Sequence, residues 1–200
     1  MLLKPLTFLL CLSPFCWIFW QIWLLSEGLP GSLGADPAEA VVHFTGQWAF
    51  IMLLATLSVS PIRKLSGVPT IGRIRRMLGL FAFAYAFAHL LSYVTFFLEL
   101  QVSQVLVDVL KRPYITLGFL AFLMLIPLAL TSNRYSIQRL KKNWQKLHQM
   151  VYGIALLGLA HVVWLTKSDF TEAVLYGLVL FLLLAYRLFL RRKRSLSGAV

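Results

Sequence analysis

Apolar residues run almost unbroken through six stretches, near Leu6–Leu25, Val42–Ser60, Met77–Leu98, Tyr114–Thr131, Leu147–Thr166 and Ala173–Leu190, and nearly every charge falls between them. Each stretch approaches the roughly 20 apolar residues that a helix needs to cross a hydrocarbon core. A segment in lipid must satisfy its own backbone, so each stretch predicts an α-helix, and together they predict an all-α, polytopic bundle of six transmembrane helices. The loops are short, which makes residues 1–200 a single transmembrane domain ending in a short basic tail at 191–200. The first stretch follows Lys4 and mimics a signal peptide, but its apolar part is longer than an h-region and no small-x-small cleavage site follows. It is expected to remain as a helix.

Composition supports the bilayer as solvent. The 200 residues are 60% hydrophobic and 13% charged, with mean hydropathy +0.79, where soluble domains are about 45–50% apolar and about 25% charged. The net charge of +12 would suit nucleic acid if it formed one patch, but the charges sort by loop. Lys4, the loop with Arg63, Lys64, Arg73, Arg75 and Arg76, the loop from Arg134 to Lys146, and the tail from Arg187 hold 16 of the 19 basic residues and no acid. The other three loops hold all seven acids, Glu27, Asp36, Glu39, Glu99, Asp108, Asp169 and Glu172, with Lys111, Arg112 and Lys167. This alternation is the positive-inside pattern, so both termini are expected in the cytoplasm and a nucleic-acid partner is not expected.

Against that background the ionisable residues inside the spans stand out, since each costs at least about 2.5–3.5 kcal/mol to insert. His89 lies about 12 residues into the third span and His161 about 13 into the fifth. Both helices run outward on the expected topology, so both rings rise roughly 18–20 Å and reach a similar depth. Two neutral imidazoles from facing helices could hold a haem iron between them. Small residues around them, Ala82, Ala84, Ala86 and Ala88 on one side and Gly153, Ala155, Gly158 and Ala160 on the other, would admit a flat macrocycle or would simply tighten helix packing. His148 lies 13 residues before His161, at an inner level where a second haem could sit. The third span offers no second histidine there; Arg75 and Arg76 stand instead, as an unusual ligand or as partners for a haem propionate or a flavin phosphate. His43 opens the second span at the outer interface, an ordinary interfacial residue or a contact to a quinone or outer partner. The six tryptophans lie mostly near span ends, as an aromatic belt requires. Cys11 and Cys16 read as small apolar residues. There is no Cys-x-x-Cys-His attachment motif, nucleotide fingerprint or catalytic elbow, and no internal repeat is evident.

The strings "GADP" at Gly34–Pro37, "HFTG" at His43–Gly46, "RPYITLG" at Arg112–Gly118 and "WQKLHQMVY" at Trp144–Tyr152, with this order of histidines, closely resemble the MsrQ (YedZ) family over about residues 5–190. That family is the haem-binding membrane subunit of a periplasmic methionine-sulfoxide reductase system, within the wider ferric-reductase-like transmembrane group. The resemblance implies b-type haem, one or two per chain, ligated among His89, His161 and His148. It also implies FMN, a bacterial inner-membrane location, and a periplasmic molybdenum methionine-sulfoxide reductase as partner. The donor would be the quinone pool or a cytosolic flavin reductase. In NADPH oxidases of the wider group the inner histidine of the third span would fall at Arg75, so ligation of an inner haem departs from their pattern here.

Only about ten residues follow the last span, too few for flavin and nicotinamide domains. The expectation is therefore an electron-transfer subunit whose catalytic site lies on a partner. A stand-alone haem-containing quinol or ferric reductase would turn over without that partner. A haem-free transporter or assembly factor using the histidines as a proton relay would be colourless.

Overall fold

In the computed structural model, residues 2–166 and 169–197 are described, with side chains as far as Leu190; Lys167 and the side chains of the basic tail at 191–200 lie outside the described residues. The elements are α1 (Leu3–Ser26), α2 (Pro37–Ser66), a 3₁₀ turn (Pro69–Ile74), α3 (Arg75–Phe96), α4 (Val102–Lys111), α5 (Pro113–Leu130), α6 (Arg134–Leu140), α7 (Lys142–His148), α8 (Met150–Leu165) and α9 (Thr171–Ser197). Among the described residues, six helical segments are long and apolar enough to cross a membrane, α7 and α8 together making the fifth. The protein is thus all-helical and multi-pass.

Local chemistry sets the helix ends. Asp36 caps α2 by accepting from the Glu39 N–H at 3.0 Å, and Pro37 supplies a fixed φ in the first turn. At the other end Gly67 takes φ +68, the left-handed turn glycine allows. Asn133 caps α6 in the same way through Ser136. Prolines within spans free the carbonyl four residues earlier, and side chains take up two of these. Ser13 Oγ donates to the Leu10 carbonyl beside Pro14, and Arg187 Nη2 donates at 2.6 Å to the Leu57 carbonyl beside Pro61.

The core is centred on α2, which is sandwiched against α3 and touched by α8 and α9. Leu57, Tyr85 and Leu180, from α2, α3 and α9, are its most enclosed large side chains. Tyr85 ties the peripheral α1 to this centre: its ring stacks on Phe15 and its hydroxyl donates to the Cys11 carbonyl at 2.9 Å. A phenol in lipid needs such an acceptor.

Two features depart from the expected loops. The loop after the third span contains α4, whose Val102, Leu106 and Leu110 form an exposed apolar stripe at i, i+4 and i+8, as in a helix lying along the interface. The loop before the fifth span contains α6, and Lys141 at φ +47 separates it from α7; α7 and α8 then run on as the fifth span through Gln149, whose backbone stays right-handed helical (φ −72, ψ −18).

Candidate metal centre

His89 on α3 and His161 on α8 face each other, with ring centroids 6.3 Å apart and planes at 73°. Each ring is fixed from behind by backbone. His89 Nδ1 lies 2.9 Å from the Val42 carbonyl of α2, and His161 Nδ1 lies 2.6 Å from the Tyr114 carbonyl of α5. A carbonyl can only accept, so each Nδ1 carries the proton and each Nε2 keeps a bare lone pair. Among the described residues no hydrogen bond reaches either Nε2. Fixing one nitrogen to leave the other as a donor to metal is the usual orientation of ligating histidines.

Behind each ring the facing helix carries a glycine. A Cβ on Gly46 would stand 3.0 Å from His89 Cε1 and Nδ1, and one on Gly118 would stand 2.9 Å from the same atoms of His161. The two arrangements are copies. His89 and Val42 are 47 residues apart, as are His161 and Tyr114, and each glycine follows its carbonyl residue by four; adding 72 to 42, 46 and 89 gives 114, 118 and 161. Helices α2 and α3 thus correspond to α5 and α8, a parallel repeat of the kind several membrane proteins use. The absence of a repeat read from the sequence is corrected here. The repeated part is a carbonyl, a glycine and an imidazole, while the flanking side chains differ.

The donor set can be tested against a metal. Imidazole nitrogens bind metals at about 2.0–2.1 Å, and with a centroid roughly 1.1 Å behind its nitrogen, two rings on opposite sides of one ion need centroids about 6.3 Å apart. The observed spacing meets this. Among the described residues no three His, Cys, Asp or Glu come together as a metal cluster. An ion held by protein donors alone has no such set, whereas haem iron brings four equatorial nitrogens and needs only axial partners. The residues fit that group.

The other candidate residues lie elsewhere. His148 is stacked on Trp144, centroids 4.0 Å apart, and its Nε2 meets the Thr131 hydroxyl at 3.1 Å, while Trp144 Nε1 donates to the Thr131 carbonyl. Its Nε2 is thus engaged by Thr131. Arg75 turns toward α2, with Nη1 3.4 Å from Ser60 Oγ, and lies close enough to Arg63, Arg187 and His148 for their charges to interact. Arg76 is exposed. His43 is exposed too and lines a separate cavity of about 470 Å³ with Trp17, Asp36, Glu39, Phe44 and Gln47. Several small residues are used in helix packing: Ala82 and Ala155 belong to the core, Gly153 faces Met124, and Gly158 faces Phe50. The glycines against the histidines are Gly46 and Gly118. Their equal separation from the histidines, 43 residues from Gly46 to His89 and from Gly118 to His161, was the sequence feature that could have found them.

This fold and its paired histidines define a ferric-reductase-like transmembrane protein, and the family described as "Ferric reductase like transmembrane component" matches residues 45–159. Among curated proteins, the "Protein-methionine-sulfoxide reductase heme-binding subunit MsrQ" of Xanthomonas euvesicatoria pv. vesicatoria (strain 85-10) is 46% identical over 92% of this chain and 84% of its own. The protein of the same name from Polaromonas naphthalenivorans (strain CJ2) is 42% identical over 98% of this chain and 91% of its own. The chain belongs to the MsrQ family. No solved structure matches it.

Proposed function

We propose that the protein is the b-type haem subunit of a methionine-sulfoxide reductase system. It takes electrons from the quinone pool or a cytosolic flavin donor. It passes them across the inner membrane to a periplasmic molybdenum enzyme that repairs oxidised envelope proteins. The observation that carries this reading is the pair of imidazoles held 6.3 Å apart with both Nδ1 atoms tied to backbone. The relatives' name supports it, since it describes a heme-binding subunit.

In this reading His89 and His161 would hold the haem iron. The Val42 and Tyr114 carbonyls keep each Nδ1 protonated and each Nε2 available, and Gly46 and Gly118 let the rings sit flush against their neighbouring helices. Bound haem supplies one-electron chemistry at that place. At the inner level His148 is a candidate ligand once released by Thr131, with Arg75 and Arg76 as partners for a propionate or for the phosphate of FMN. His43 is a candidate contact for a quinone or for the outer partner. The charge asymmetry of the loops supports cytoplasmic termini, and the catalytic site belongs to the partner.

Optical spectroscopy of purified protein tests this. Reduced b-type bands are expected, and His89→Ala or His161→Ala should abolish the outer haem signal. Either variant keeping full haem and an unchanged spectrum would remove that residue as a ligand. Dithionite-reduced protein should be reoxidised by the molybdoenzyme with methionine sulfoxide; no reoxidation above buffer would refute the partnership.

A further inference from the structure

The end of the bundle away from all seven acids contains a half-buried arginine, Arg187, that has no counter-ion among the described residues. Arg187 of α9 donates from Nη1 to the Tyr152 hydroxyl and from Nη2 to the Leu57 carbonyl, and its Nε is closed off from solvent with no acceptor among the described residues. Its guanidinium also lies 5.1 Å from the Tyr152 ring centroid. Every partner is neutral. Arg75 and Arg63 lie close by and add charge of the same sign. No Asp or Glu follows Glu172 in the chain, and none lies in the basic loops. A half-buried guanidinium with neutral partners and like charges beside it makes a locally positive site that attracts an anion from outside.

A cavity of about 200 Å³ adjoins this arginine, lined by Ser60, Lys64, Tyr152, Tyr186 and Arg187. It lies at the ends of the second and sixth spans, at the level where lipid phosphates meet the protein. Two cations and three hydroxyls make a many-donor bowl, suited to a group with several acceptor oxygens, and arginine matches phosphate geometry especially well. Basic pockets between helices on the cytoplasmic side are typical sites for anionic headgroups.

We propose that Arg187, Lys64, Ser60, Tyr152 and Tyr186 form a binding site for a phosphate-bearing anion, drawn from an anionic phospholipid or from a soluble phosphate ester. The site is independent of the paired histidines and stands or falls without them.

Haem-loaded protein, delipidated in nonionic detergent, would be titrated with phosphatidylglycerol, with phosphatidylcholine, and separately with inorganic phosphate, reading bound ligand by native mass spectrometry and Tm. Phosphatidylglycerol should bind and raise Tm by roughly 3–6 °C at saturating concentration, while phosphatidylcholine should not. Arg187→Gln should weaken that binding about tenfold or more, from loss of a charge-assisted contact. Lys64→Gln, at an exposed side chain, should weaken it by a smaller factor and keeps the test valid if Arg187→Gln misfolds. Arg139→Gln, on another basic segment, should leave it unchanged. Phosphate competing at comparable affinity identifies the soluble source, and failure to compete identifies the lipid; both support the site. Equal binding by all three variants and the parent, equal binding of phosphatidylcholine, or no binding of any probe would overturn it.

Discussion

Gly118→Ala sets two effects of opposite sign against each other. Alanine is favoured over glycine in a helix interior by about 0.8–1.0 kcal/mol, so propensity alone predicts a more stable protein. A Cβ at this position would stand 2.9 Å from Cε1 and Nδ1 of His161, roughly 0.6–1 Å inside the optimum for carbon contacts. The ring cannot retreat freely, because Nδ1 is held 2.6 Å from the Tyr114 carbonyl of the same helix. Overpacking of this kind costs about 1–3 kcal/mol, and losing the hydrogen bond costs about 0.5–1.5 kcal/mol more. The net expectation is a loss of about 0.5–3.5 kcal/mol, with lower haem content because Nε2 moves with the ring. Gly46→Ala, at 3.0 Å from His89, should act in the same direction more mildly. Gly153→Ala is the control: its Cβ would meet only the flexible Met124 tip at 3.6 Å, so propensity should win and Tm should rise. Thermal unfolding in detergent and pyridine-haemochrome content decide the matter. If Gly118→Ala matches Gly153→Ala in both, the histidine is not positioned as argued.

Other substitutions test the supporting framework. Tyr85→Phe keeps the stack on Phe15 but removes the bond to the Cys11 carbonyl, and should cost about 0.5–1.5 kcal/mol, read as a lower Tm. Asp36→Ala removes the side chain that accepts the Glu39 N–H, and a Tm drop equivalent to about 1 kcal/mol is expected, with Asp36→Asn largely restoring it. Thr131→Val removes the hydroxyl that meets His148 Nε2 and donates to the Pro127 carbonyl, and should lower stability by about 0.5–1.5 kcal/mol; Thr131→Ser should behave like the parent.

The spans were legible because a bilayer enforces a simple rule on length and polarity, and Leu6–Leu25 or Ala173–Leu190 could hardly be read otherwise. The depth of His89 and His161 followed from counting residues along helices. Their fixing to Val42 and Tyr114 did not, because a backbone carbonyl has no sequence identity of its own. The repeat was hidden for the same reason: Val42 and Tyr114 share nothing but a backbone oxygen. The α4 helix was missed because its stripe is too short to register as a span, although Val102, Leu106 and Leu110 show helical spacing. The role of Pro61 was equally unreadable, since nothing in the chain announces that an arginine 126 residues later, Arg187, covers the vicinity of the carbonyl it exposes.

The duplicated architecture has a consequence for assembly during synthesis. Each half of the molecule contributes one ring, so a nascent product that has inserted only its first four crossings owns a single jaw of the clamp. On the proposed ligation both rings are in place only after the fifth crossing, which would make cofactor loading a late event and a natural report that the chain has been threaded through the membrane correctly.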